Sequence, residues 1–303
     1  FLLATIRSSN GWQHPSVPTS DTGHANIPAS RRDLLIGTAA AATSGILIGA
    51  AQPAIAASEG LAAKLAKKDP AVLKNSVFNV PPGYQVYPEF MRGTWTVQSS
   101  FSGYIFPSEK ISKQRLTQDF AVPGFQKCSI AATADVGREN VEYQMVIDTQ
   151  SGTEDRIRTL KSQIDGYLGY KAVQEVLYDP KSNPNRLSVD FIDYKTINAE
   201  RIELFCNARE SEQYKRDSDG ATIFVCSEYI RQVTFSGGPD VGVARQVGGN
   251  YAHYWTWKLV DENHLAGNLL TACYLDPQDS LFFDEPSKPV AIYSHALKAE
   301  KIV

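Results

Sequence analysis

A mainly β fold, a single antiparallel up-and-down barrel of about 8–10 strands with one helix inserted, is predicted by three features of the chain beyond residue 90. Short runs rich in Val, Ile, Tyr, Phe, Thr and Trp alternate with clusters of turn-forming residues. One stretch alone has helical spacing. No repeat or low-complexity tract interrupts the series after residue 60.

The elements follow in order. Ala62 to Lys68 reads as a short helix ended by Asp69-Pro70 and lying outside the main domain. Pro81-Pro82-Gly83 makes a turn, after which Thr94 to Phe106 is the first convincing strand. Further strands are expected at Cys128 to Ala134, Val141 to Asp148, Lys171 to Tyr178, Arg186 to Tyr194, Arg201 to Ala208, Ala221 to Phe235, Asn250 to Val260, His264 to Leu275 and Pro289 to Leu297. The helix is expected over Thr153 to Leu168, with Ile157, Leu160, Ile164 and Leu168 on one stripe and Ser151 or Thr153 as its cap.

Strand periodicity assigns faces. His253, Trp255, Trp257 and Leu259 share one face of their strand, while Tyr254, Thr256 and Lys258 share the other. Bulky groups on both faces suit a barrel wall around a filled or ligand-holding interior. In SEYIRQVTF, Glu228 and Arg231 are an odd number of residues apart and point to opposite faces, so one of them enters the interior. A charge there either pairs with another strand or meets the polar end of a ligand. Tyr229, Arg231, His253, Trp255, Trp257 and His295 are the candidate ligand-binding residues.

Met91-Arg92-Gly93-Thr94-Trp95 places Gly two residues before Trp at the start of the first barrel strand. This resembles the opening signature of the lipocalins, eight-stranded barrels that hold small apolar ligands. The resemblance implies that Trp95 plugs the closed end of the barrel and that Gly93 lets the entering chain pass beneath it, a structural role for both. It implies a hydrophobic ligand: a carotenoid or other pigment, a quinone, a lipid or a tetrapyrrole. All 14 Tyr, 12 of 13 Phe and 3 of 4 Trp lie beyond residue 57, where such a pocket would be lined.

The four cysteines, Cys128, Cys206, Cys226 and Cys273, form no Cys-x-x-Cys, which argues against a zinc or thioredoxin-like site. A hairpin centred near Arg216 would set Cys206 opposite Cys226, as a disulfide or as two buried thiols. His253 and His295 are each either an iron or chlorophyll ligand or a hydrogen-bonded structural histidine, and His264, after Asp261-Glu262-Asn263, is an exposed turn residue. No nucleophile elbow or other catalytic signature stands out, so the sequence leaves enzymatic activity open while favouring a non-enzyme, and it offers no metal site.

Composition changes sharply near residue 60. Residues 1–30 hold a single acid, Asp21, and many hydroxyl residues, as in a plastid transit segment. Residues 31–56 run from Arg31-Arg32 through an apolar stretch to Ala54-Ile55-Ala56, an order that resembles a twin-arginine lumenal signal cut after Ala56. A membrane anchor or a core helix are the other readings, but Ala, Gly and Thr dominate the stretch and Gln52-Pro53 breaks it. The start at Phe1 rather than Met is what a truncated precursor is expected to show. The expected division is therefore transit segment 1–30, signal 31–56, N-terminal extension 57–90 and β domain 91–303.

The net charge of −3, with 30 basic residues scattered among 33 acidic ones, excludes a phosphate-binding stripe and hence a nucleic-acid partner. Two functions remain in a chloroplast thylakoid lumen: a lipocalin-like carrier of a hydrophobic molecule, or a non-enzymatic auxiliary or assembly factor docking on a photosynthetic membrane complex. The docking factor would use loops such as 213–219 and 236–250. Either protein is peripheral to the membrane at most. A lipid-acting enzyme like the lipocalin-like de-epoxidases of thylakoids is disfavoured, because their Cys-rich segment and acidic tail are missing here.

Overall fold

The computed structural model describes residues 60–73, 82–118, 140–196, 199–236 and 245–302. The transit and signal segments, with Arg31, Arg32, Ala54 and Ala56, and the strand expected at Cys128 to Ala134 lie outside the described residues.

Period-two alternation of apolar residues yields nine strands in one antiparallel sheet. They are β1 (Gly93–Ile105), β2 (Val141–Ile147), β3 (Val173–Leu177), β4 (Arg186–Phe191), β5 (Arg201–Lys215), β6 (Thr222–Ser236), β7 (Arg245–Asp261), β8 (His264–Tyr274) and β9 (Pro289–Lys301). Their order across the sheet is β2-β1-β9-β8-β7-β6-β5-β4-β3, a meander from β3 to β9 whose last strand then pairs with β1. Among the described residues three α-helices accompany them: α1 (Leu61–Ala66), α2 (Lys113–Gln118) and α3 (Arg156–Leu168).

The sheet curls strongly. Tyr143 and Met145 of the edge strand β2 share a core cluster with Phe224 of β6 and Trp257 of β7, strands well removed from β2 in the sheet order. Among the described residues, the two edges β2 and β3 share no ladder. Helix α3 occupies the seam between them. Thr159 Oγ1 accepts from Val146 N at 3.0 Å and Ser162 Oγ from Gln144 N at 2.8 Å, so helix hydroxyls satisfy the free donors of β2. On the other edge, Asp165 Oδ1 accepts from Ala172 N and Val173 N, each at 2.8 Å, and Lys161 Nζ donates to Gln174 O. The helix lies so close to β2 that a methyl group on Gly166 would overlap the carbonyl oxygen of Glu142.

Helix α3 starts later than the sequence predicts. Asp155, not Ser151 or Thr153, is its cap, accepting from Arg158 N at 3.1 Å. Ser151 instead closes the preceding turn on Asp148 Oδ1, at 2.7 Å from its own N–H. Ile164 is buried and Leu160 and Leu168 pack against the same cluster, but Ile157 is exposed, because Thr159 and Tyr167 turn the buried stripe toward β2.

Candidate functional site

One face of the sheet forms the interior, lined on β6 by Phe224, Cys226, Glu228, Ile230 and Gln232. A β-bulge between Cys206 and Ala208 resets the alternation on β5, so that Ile202, Leu204 and Cys206 are followed inward by Arg209 rather than by a residue of their own parity. Arg209 thereby lies directly opposite Glu228, and His253 of β7 flanks Glu228 on its other side. The fourth participant comes across the seam: Arg156, the first residue of α3.

The Glu228 carboxylate sits in a fork of two guanidiniums. Arg156 Nη1 and Nη2 donate to Oε1 and Oε2 at 2.7 and 2.9 Å, and Arg209 Nε and Nη2 donate to Oε1 at 2.9 and 2.8 Å. Arg209 also bonds the Gly83 carbonyl. Burial alone would raise the Glu228 carboxyl, but Arg156 and Arg209 outweigh it and hold it at about 2. Glu154 nearby has the opposite balance: burial is the largest influence and, with the Glu228 charge, keeps its carboxyl above the ordinary value despite the two arginines.

A cavity of about 90 Å³ lies beside this group, walled by Tyr143, Arg156, Glu228, Tyr251, His253 and Trp255, with Trp257 beyond. His253 Nδ1 is 2.9 Å from Thr271 Oγ1, and burial pushes its imidazole down to about 4, so it is neutral near pH 7. His295 is fully buried, edge-on to Phe101 with ring centroids 5.6 Å apart. Trp95 lies at the start of β1, fully buried, its Nε1 donating to Met91 O at 2.8 Å and its ring covered by Lys301 Nζ at 5.3 Å. Gly93 holds a φ of +121°, which a side chain would strain, and a methyl there would meet the Lys301 stem. His264 is exposed and bonded to Asp261.

Two expectations are corrected. Tyr229 and Arg231 do not join the interior group: both lie on the outer face, Tyr229 against Tyr274 at 5.5 Å and the exposed Arg231 at a polar hollow with Asp276. The inward charge of that strand is Glu228. The second is the pairing of Cys206 opposite Cys226; of the two states left open for them, both are buried free thiols. The hairpin turns between Lys215 and Thr222, which sets Cys206 against Ile230 and Cys226 against Ser211. Among the described residues, Cys273 is disulfide-bonded.

Arg156 and Arg209 escape sequence reasoning because one sits on the helix and the other is turned inward by the bulge, which has no local signature. Chemically the site is an ion-paired lock. The carboxylate is saturated by guanidinium donors, and burial raises the Cys206 thiol to about 12 and the Cys226 thiol well above its ordinary value, so neither thiol is an available nucleophile. Among the described residues there is no cluster of three His, Cys, Asp or Glu side chains that could hold a metal ion. No described helix is long and apolar enough to cross a membrane.

Fold and site thus define a protein built on a curled antiparallel meander, seamed by a helix and locked by a buried ion pair. Over residues 81–303 the chain matches the family described as "Domain of unknown function (DUF6816)", and it belongs to that family. No curated protein and no solved structure matches it.

Proposed function

We propose that this protein is a non-enzymatic auxiliary or assembly factor of the thylakoid lumen that docks on a photosynthetic membrane complex. The observation that carries the reading is the filled interior. Trp95, Trp257, Tyr167, Tyr293 and Leu269 interlock inside the sheet, and the space left at the Arg156–Glu228 pair is about 90 Å³. Pockets for drug-sized ligands run from roughly 300 Å³ upward, so a carotenoid, quinone or tetrapyrrole does not fit this interior as it stands. Work is then left to the outer surface. The lumenal address rests on the Arg31-Arg32 to Ala56 segment, and an N-terminus at Ala57 in protein recovered from import-competent chloroplasts would support it. Co-migration of the mature protein with a photosynthetic complex on a native gel, lost on deleting 213–219, is the expected result. A protein that migrates alone in every preparation overturns the reading.

The cavity favours a second reading, a lipocalin-like carrier in which the sheet and α3 together act as one barrel. Tyr251, His253 and Trp255 offer apolar and ring surface, and the Arg156–Glu228 pair offers a polar end. Since α3 is tied to β2 by hydroxyl groups, lifting it would enlarge the space. Organic extraction of the purified protein, followed by absorbance and mass spectrometry, separates the readings: a stoichiometric pigment, quinone or lipid favours the carrier.

A further inference from the structure

An antiparallel sheet that curls around a core has one buried face and one facing water, and the outward residues are expected to be polar. Strands β6 to β8 depart from this. Their outer face carries Ile223, Val225, Tyr229, Tyr254, Ala272 and Tyr274, while their inner face packs Phe224, Trp257 and Leu269 into the core. A surface of that kind needs a cover.

The cover is the segment holding α1. Leu61 and Leu73 are 4% and 6% exposed, packed on Ile223 and Val225 and on Ala252 and Tyr274 respectively. Its polar attachments include three to the sheet: Glu212 Oε2 accepts from Ala62 N at 3.0 Å, Lys64 Nζ donates to Glu210 at 3.1 Å, and Tyr274 Oη donates to Leu73 O at 2.7 Å. The fit is loose, with a gap of about 80 Å³ between Leu61, Lys64, Leu73 and the Tyr229–Tyr254 surface. The six-residue helix α1 has no side-chain cap and cannot hold its shape without the sheet. The family match begins at residue 81, so the apolar face belongs to the shared domain while its cover lies outside it.

We propose that the outer face of β6–β8 is a docking surface for a short amphipathic helix of a partner protein, and that residues 61–73 are its intramolecular stand-in. The partner helix carries two leucines four residues apart and a lysine beside them, the pattern of Leu61, Lys64 and Leu65 against the apolar face and the Glu210 and Glu212 carboxylates. This deepens the docking reading above, since it names the surface and the chemistry of what binds there.

A fluorescent peptide of residues 60–73 tests it by anisotropy against the full chain and against a Leu61→Asp, Leu65→Asp chain whose own cover is released. The released chain is expected to bind the peptide at least tenfold more tightly than the unaltered chain, and to lose that binding tenfold or more when Glu210→Lys and Glu212→Lys are added. No saturable binding by a released chain that keeps its β-sheet circular dichroism overturns the proposal. A released chain that elutes as a dimer overturns it too, by making the occupant a second copy. If the released chain does not fold, hydrogen exchange decides on the unaltered protein: excess peptide should speed exchange over 61–66 and leave β6 unchanged, and no such change overturns the proposal. Co-migration with a photosynthetic complex can persist through any of these failures, so the broader reading is judged separately.

Discussion

The Arg156 guanidinium meets both carboxylate oxygens of Glu228, at 2.7 and 2.9 Å, and thereby ties the first turn of α3 to the middle of the sheet. Arg209 reaches the same carboxylate from β5, so the distant helix α3 and both strands of the β5–β6 hairpin converge on one charge. The side chains of Glu228 and Arg209 are 9% and 5% exposed, which removes most of the solvent screening.

Replacing Glu228 by Gln keeps the shape of the side chain but leaves two guanidiniums facing each other in the interior. The expected loss is about 3–5 kcal/mol of stability. It should show as a lower urea midpoint with an unchanged slope.

The seam between α3 and β2 gives a graded series. Thr159→Val leaves the buried Val146 N–H without its acceptor, at a cost of about 1–3 kcal/mol, whereas Ser162→Ala costs less because Gln144 is more exposed. Gly166→Ala drives a methyl into the Glu142 carbonyl and should cost about 1–3 kcal/mol. Amide exchange at Gln144 and Val146 should accelerate in all three variants. Unchanged protection there would mean that the helix does not hold the edge.

Stability should fall as the solution is acidified, in two windows. His253 has a folded value of about 4 against an ordinary 6.5, so the unfolded chain binds the proton more readily and stability is lost as pH drops from 6.5 toward 4. Glu228, at about 2 against 4.5, extends the loss from 4.5 toward 2. Glu154 acts with the opposite sign: its raised value means that protonation in the folded state gives back part of the stability as pH falls toward 4.5. His253→Gln should flatten the slope between pH 6.5 and 4 and leave the lower window in place, as measured by urea unfolding across the range.

Cysteine chemistry separates the two kinds of site. Without denaturant, alkylation should label neither Cys206 nor Cys226, since both thiols are buried with raised values. Unfolding without reductant should expose both, and Cys273 should label only after reduction, as read by peptide mass mapping.

The strands were legible because each is a run of β-branched and aromatic residues bounded by turn formers, and the parity of Glu228 and Arg231 already placed them on opposite faces. Which face was inward was not legible. On β6 both faces are apolar, the inner against the core and the outer beneath the segment around α1, so Tyr229 looks as much like an interior residue as Ile230 does. The Cys206–Cys226 register failed for a related reason: turn position and bulge shift the pairing without changing composition. The same bulge hid Arg209. His253, Trp255 and Trp257 share one face, as the periodicity predicts, because β7 runs through them without interruption.

The position of β9 between β8 and β1 has a consequence for how the molecule comes into being. This strand is the latest of the nine to leave the ribosome, yet it lies inside the sheet, paired on both sides. Until it arrives, β1 with β2 and the meander from β3 to β8 are two separate fragments, each with a bare edge open to wrong partners. Folding of the sheet thus waits for β9, and removing residues 289–301 would be the loss of a keystone that joins the two fragments.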